Sequence, residues 1–471
     1  MDSYRYLFPF EQIPRHSRVL IYGAGMVGQE YLRQLLMTNY ADVVGFLDRD
    51  AERRNQLIVP FWPLEKVRFL DFDFLVVAMS IPVMLEDIRQ SLSKRGVPLS
   101  KIVYLGQRGP AQSILLDIYA EHEMEKPAFE CTRLSIALKL PTSLGDNIQR
   151  KGLFLAITKT FPDCLIDIYT TDGRMTHAIY DGESSLNCII EDSGALFFQY
   201  SKQYLLAMEV RYSLLLEYVN YKLAKEISDD CALKLSILEA ACKSYNMNLT
   251  PVTQNRIQCE RAIYYGWNIY QFYNYSKIFQ VEHAKVCIPL VDGYGKEIKK
   301  RMPLKYITFN TGNSTTSKDN KNTNSRSWPE QYFIDFIRFF HSKYPDIAVV
   351  QIGDANASRV SAADEYVLGE HIETAKWVLK WALFHLDTEG GLMHLATQLG
   401  TMCVALFGPT QVEIFGYPEN INIYAGKCHG CYYLFDNPFV CARGLDHPEC
   451  MYSITPKMVM EKIKDYMGTV V

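Results

Sequence analysis

Asp387, Thr388, Glu389, Gly390, Gly391 and His394 lie within FHLDTEGGLMHLA, where an apolar, strand-like run gives way to a helix-like one. A strand–Gly–Gly–helix junction bares backbone N–H groups at the positive end of a helix, a setting that suits a diphosphate. Thr388 adds a hydroxyl donor, and His394 in the first turn can help neutralise phosphate. Asp387 and Glu389 would repel phosphate, so sugar hydroxyls are their expected partners. A capped surface turn carries the same local signature.

Asp146, in LGDN, follows a strand-like run and precedes a helix. It can serve as an N-cap or as a general base at the mouth of an α/β crevice. Arg326, in SRSWPEQYF, stands just before a helix and is placed to clamp a phosphate, unless it is an ordinary solvated arginine. GAGMVG follows the strand RVLIY, and Asp48 closes the next strand 20 residues beyond Gly28. That is dinucleotide-fingerprint spacing, in which Gly23, Gly25 and Gly28 admit a pyrophosphate and the acid meets a ribose hydroxyl. The alternative is a Rossmann-like domain that uses its glycines for packing alone. Cys428-x2-Cys431-x9-Cys441-x8-Cys450 opens with a CxxC and favours a tetrahedral all-thiolate site for iron or zinc. Such a site offers no open position, so its role is structural, with no catalytic metal expected.

These residues must be held by elements, and the chain supplies them in alternation. Residues 18–106 read as βαβ units on a parallel sheet, with room for about half a dinucleotide fold. A second α/β region starts at LSIALKL (134–140) and turns mainly helical and aromatic from about 194 to 281. A third begins near Lys305 and runs through WPEQYFIDFIRFFHSKY, IAVVQIG, the 387–394 junction and MCVALFG to a closing helix over SITPKMVMEKIKDYM. The polar stretch 311–325 lacks periodicity and reads as a mobile loop. The expected organisation is 1–107 Rossmann-like, 108–130 connector, 131–300 the first half of a larger pair with an aromatic helical insertion, and 301–471 the second half with the cysteine finger at 428–450.

Bulk composition excludes several classes. A formal net charge of −4 gives no basic field for nucleic acid. No apolar run reaches the roughly 18 residues of a membrane span, and the N-terminus lacks an apolar signal region. A cytoplasmic protein with reduced thiols is expected.

Taken together, SLGDN, RSWPEQYF, DTEGGLMHLATQLGT and VALFGPT, in this order, resemble glycosyltransferase family 9, the heptosyltransferases, over roughly 132–471. FGYPENINI and the four-cysteine segment ending PECMYSITP are most similar to the bacterial autotransporter heptosyltransferase branch, whose finger binds iron. The resemblance implies a GT-B fold, two Rossmann-like halves facing across a cleft, here preceded by a small Rossmann-like domain. It implies inverting, metal-independent transfer from a nucleotide-sugar, typically ADP-heptose, to a saccharide or protein hydroxyl. It makes Asp146 the catalytic base. Asp387, Thr388, Gly390, Gly391 and His394 become the donor loop, and Gly408, Pro409 and Thr410 its neighbouring turn. Arg326 stands where the family usually has a lysine, and Glu389 interrupts the usual Asp-Thr/Ser-Gly order.

The N-terminal domain is similar to those preceding sugar-modifying enzymes, and it would bind a nucleotide or serve in assembly, with a homo-oligomer the expected form. Two rival readings stand beside this one. One is an NAD(P)-dependent oxidoreductase centred on Gly23–Gly28 and Asp48. The other is a non-catalytic assembly protein of GT-B shape.

Overall fold

A computed structural model describes every residue except 1–3, 39, 49–58, 80–84, 106–107, 111–133, 142, 192–194, 247–250, 282–284, 313–324, 356, 435–440 and 471. The 108–130 connector and the 311–325 loop fall largely outside the described residues. The chain forms two compact units from interleaved segments. One comprises Met1–Leu140, Asp163–Thr171 and Asn187–Val252; the other comprises Pro141–Pro162, Asp172–Leu186 and Thr253–Val471.

The first unit holds two five-stranded sheets, besides a two-stranded pairing of Tyr4–Tyr6 with Arg108–Pro110. In one, parallel strands lie in the order Phe61–Trp62, Asp42–Leu47, Arg18–Tyr22, Phe74–Val77 and Ile102–Val103. Successive side chains of RVLIY point to opposite faces, as strand geometry requires. Val19 and Ile21 pack with Tyr31, Leu32 and Leu35 on one face. Leu20 packs with Leu75, Ile88 and Leu92 on the other. The runs RVLIYG, ADVVGFLD, FDFLVVAMS and KIVYLG each supply a strand, and the fifth, Phe61–Trp62, is too short to register as an apolar run.

Gly28 is fixed by packing in this domain. A Cβ there would lie 2.0 Å from the Gly23 carbonyl oxygen, between strand Arg18–Tyr22 and helix Met26–Thr38. Gly28→Ala is expected to cost more than the roughly 1–3 kcal/mol of ordinary overpacking. At Gly25 a Cβ would meet nothing within 4 Å, so Gly25→Ala is expected to be near neutral. Thermal melts of the two variants should separate clearly, and equal melts would contradict this.

The other sheet of this unit runs Leu186–Glu191, Leu165–Thr170, Ser135–Lys139, Leu206–Val210 and Leu214–Val219. Its last two strands are an antiparallel hairpin. The expected helical stretch from 194 is corrected here, since LLLEYV is a strand. Short apolar runs do not distinguish helix from strand by periodicity. Leu214 and Leu216 turn inward while Leu215 and Glu217 are less buried, the alternation of a strand.

The second unit is built on six parallel strands: Glu365–Leu368, Ala348–Gly353, Tyr306–Phe309, His385–Thr388, Cys403–Phe407 and Ile421–Tyr424. Runs such as CVALF are wholly buried, as strands covered on both faces must be. Helix Glu330–Lys343 lays Phe333, Phe336, Ile337 and Phe340 onto this sheet beside Trp328. These sheets bear out the α/β, GT-B-type fold class, with a small parallel-sheet domain in front. Among the described residues, no helix is long and apolar enough to cross a membrane.

Candidate active site

In the second unit's sheet, the first strand in sequence, Tyr306–Phe309, lies beside the fourth, His385–Thr388. Winding reverses at that point, and sheets of this kind take ligands at the carboxyl ends of the strands there. Strand His385–Thr388 ends at this switch, Gly390 caps the next helix, and helix Gly391–Gln398 leads away.

Residues 141–162 belong to the same unit, so helix Leu144–Thr160 is part of this neighbourhood. Two glycines let the helix starts meet. A Cβ on Gly391 would stand 3.0 Å from the Leu144 Cβ and 3.2 Å from the Gly145 nitrogen. A Cβ on Gly145 would stand 3.0 Å from His394 Cδ2. The Asp146 turn and the Gly390–Gly391 turn are therefore neighbours.

Polar contacts link Asp146 to Arg326 through Arg150, Gln149, His394 and Glu389. Ser143 caps the helix, accepting from the Asp146 N–H at 3.2 Å and donating its hydroxyl to Asp146 Oδ2 at 2.6 Å. Arg150, one turn on, donates Nη1 to Asp146 Oδ1 at 2.8 Å and to Gln149 Oε1 at 2.9 Å. This orients the Gln149 amide nitrogen toward His394 Nε2, 3.0 Å away. His394 Nε2 also lies 3.3 Å from Glu389 Oε1, and Arg326 donates Nη1 to Glu389 Oε2 at 3.0 Å. The Arg326 guanidinium rests 4.8 Å over the Tyr432 ring. His394 Nδ1 stands 2.8 Å from the Tyr417 hydroxyl, which meets that of Tyr270. At Nε2, a neutral His394 can accept the Gln149 N–H, whereas a proton there would be donated to Glu389.

Burial sets the charges here. Glu389 is 6% exposed and His394 1%. Burial alone would push the Glu389 carboxyl up, but His394 and Arg326 together outweigh it and hold it below the ordinary carboxylate range. Burial likewise disfavours the Arg326 cation, and Glu389 with the neighbouring tyrosines more than restores it. Asp146 keeps a partly exposed side chain, 28%, as a group meeting a substrate must.

Asp387 sits differently. It is 1% exposed, accepts from Asn310 Nδ2 at 3.2 Å, and lies 3.3 Å from His385 Nε2, whose Nδ1 is 2.9 Å from the Thr308 hydroxyl. Burial pushes its carboxyl up, against the opposing pull of His385 and Asn310. The expectation that Asp387 meets sugar hydroxyls does not fit this placement, because its oxygens are committed beneath the loop. Thr388 is also buried, and Gly390 and Gly391 are partly exposed.

Gly408-Pro409-Thr410 follows strand Cys403–Phe407 and is tied to the cysteine segment. Gly430 donates its N–H to the Gly408 carbonyl at 3.1 Å and Tyr432 to that of Pro409 at 2.6 Å. Gln411 Nε2 donates to the carbonyls of Gly430 and Tyr432 at 3.0 and 2.8 Å. Gly430, at φ +73°, makes the turn between Cys428 and Cys431 that a side chain would strain. A Cβ on Gly408 would lie 2.2 Å from Met451 Sδ and 3.3 Å from Cys450 Sγ, so only glycine admits that segment unshifted. The Cys428–Cys431 turn thus delivers Tyr432 beneath Arg326.

Cys428, Cys431, Cys441 and Cys450 are all free thiols. They are near enough to influence one another. Burial and then its cysteine neighbours push Cys431 up, and burial followed by Cys428 pushes Cys450 up to about 12. Among the described residues, no three His, Cys, Asp or Glu side chains stand close enough together to hold a metal ion. Four thiols are the donor set that iron or zinc takes once they are deprotonated, so the residues fit such an ion in chemical type.

The N-terminal candidates lie in the other unit. Gly23, at φ +94°, donates its N–H to the Leu47 carbonyl at 2.9 Å. Asp48 Oδ2 accepts the Ala24 N–H at 2.8 Å, so this acid braces the glycine turn. Gly25 is exposed and Gly28 buried.

Sequence reasoning missed Ser143, Gln149, Arg150, Tyr417 and Tyr432. Arg150 had a signal: it follows Asp146 by four residues and so shares its helix face. Residues 147–151, NIQRK, offered another, because polar groups buried within a helix call for partners.

No family model matches the chain, and no curated protein sequence does. Similar solved structures include ADP-heptose LPS heptosyltransferase II of E. coli, at 14% identity and TM-score 0.45, covering 70% of this chain and 98% of that one. A family 9 glycosyl transferase from Veillonella parvula is similar at 12% identity and TM-score 0.45, covering 72% and 98%. TibC, the iron-containing dodecameric glycosyltransferase of enterotoxigenic E. coli, is similar at 13% and TM-score 0.46, covering 72% and 78%.

Proposed function

We propose that this chain is an inverting glycosyltransferase that moves a sugar, heptose from ADP-heptose, to a saccharide or protein hydroxyl. The observation that carries the reading is the meeting of two glycine-bearing helix starts. It sets the partly exposed carboxylate of Asp146 beside the Gly390–Gly391 turn, in one polar network with Arg326 and His394.

In the proposed reaction, the acceptor hydroxyl loses its proton to Asp146 as its oxygen bonds to the anomeric carbon. The bond from that carbon to the diphosphate oxygen breaks, and the nucleoside diphosphate leaves with the electron pair. Backbone N–H groups at 390–391, with Arg326 and His394, stabilise the growing negative charge. Arg150 and Ser143 aim the Asp146 carboxylate. Asp387 supports the loop from below, and Gly408–Thr410 anchors the finger that backs Arg326.

An iron or zinc ion held by Cys428, Cys431, Cys441 and Cys450 would supply a structural cross-link. Metal analysis of the purified protein is expected to find about one such ion per chain, with Cys428→Ser lowering both metal content and melting temperature. A stable, metal-free protein would refute the finger. The test of the function itself is nucleoside diphosphate release from a panel of nucleotide-sugars offered with saccharide and protein acceptors. Release from ADP-heptose supports the reading, and release from none of the panel contradicts it.

A further inference from the structure

Arg326 and His394, the side chains nearest the proposed donor loop that can meet a phosphate, already share a carboxylate partner, Glu389. Its carboxylate is 6% exposed, accepts from Arg326 at 3.0 Å and stands 3.3 Å from His394 Nε2. Arg326 is confined from its other side by Tyr432. Glu389 immediately precedes the Gly390–Gly391 helix start, where backbone N–H groups favour an anion. A phosphate and this carboxylate therefore seek the same guanidinium.

Resting on the donor site proposed above, we infer that Glu389 is a specificity-determining residue. It is an internal counter-anion that a diphosphate must displace from Arg326 on binding. It makes the free site close to neutral, which keeps Arg326 paired while buried and disfavours anions too weak to win the exchange. An inorganic phosphate reaching only the guanidinium would lose the contest. A nucleoside diphosphate adds contacts to the helix start and base, and those offset the displaced pair.

The experiment is calorimetric titration of the full chain with ADP and with adenosine, comparing the wild type with Glu389→Gln and Glu389→Ala. Melting curves of each variant would confirm a folded protein. Removing the competing charge is expected to tighten ADP binding about tenfold in both variants, a tenfold change being about 1.4 kcal/mol. Adenosine, which carries no phosphate, is expected to bind all three proteins alike. Unchanged or weaker ADP binding in both variants would overturn the inference and make Glu389 a mere support for Arg326, leaving the donor site standing. Equal tightening of ADP and adenosine would also overturn it, because the effect would not lie at the phosphates. ADP binding to none of the three would overturn the donor-site reading together with the inference.

Discussion

Asp146→Asn is expected to lower sugar transfer by on the order of 10²–10⁴-fold while leaving folding and donor binding nearly intact. The substitution removes a proton acceptor and little else. Ser143 still caps the helix, accepting from the backbone N–H of residue 146. The asparagine oxygen can still accept from Arg150, which otherwise lies 2.8 Å from the carboxylate. Asp146 is partly exposed but Arg150 is buried, so this is not a surface pair, and the fold depends on the asparagine oxygen keeping the bond from Arg150. Steady-state transfer rates and a thermal melt separate the two effects. Wild-type turnover in the variant would remove Asp146 as the base, and an unfolded variant would reassign it to the helix cap.

Arg326→Ala is expected to act on stability and binding together. Glu389 is buried, and the variant removes its arginine partner, leaving the imidazole of His394 at 3.3 Å. Stranding one member of a buried pair typically costs roughly 3–5 kcal/mol. The same change removes the cation proposed to hold the donor diphosphate and uncovers the Tyr432 ring. A lowered melting temperature together with lost ADP binding is the expected result. Retained ADP affinity would place the diphosphate elsewhere. Arg326→Lys tests geometry separately, since a point charge replaces a planar fork that engages both a carboxylate and a ring.

Much of the second unit was legible in the sequence. KYITFN, IAVVQIG and MCVALFG are continuous apolar runs, as doubly covered parallel strands must be, and the structure makes all three strands. The Asp–Thr–Glu–Gly–Gly junction sits at the end of a strand and the head of a helix, as its residue types require. What stayed hidden depended on contacts between distant segments. Glu389 looked like a group that would repel phosphate; its pairing with Arg326, 63 residues away, is set by tertiary packing. Asp387 looked available for sugar hydroxyls, but the end of the adjacent strand brings Asn310 to one oxygen, and His385, two residues earlier on the same strand, meets the other. The bond between Gln149 and His394 spans 245 residues, a separation no local pattern records. The hairpin at 206–219 was misread because its runs are too short for periodicity to decide.

The N-terminal domain remains the centre of the rival oxidoreductase reading. There Asp48 braces Ala24, and Gly28 permits a close backbone approach. Both features serve packing, and both are compatible with a bound nucleotide.

The most direct measurement is the affinity of the purified chain for ADP-heptose, ADP, UDP- and GDP-sugars, NAD and NADP, repeated with Arg326→Ala and Asp48→Ala. The account predicts that ADP-heptose binds the wild type and Asp48→Ala alike and is lost in Arg326→Ala. Binding of NAD or NADP alone, lost in Asp48→Ala, would move the chemistry to the N-terminal domain and contradict the glycosyltransferase reading.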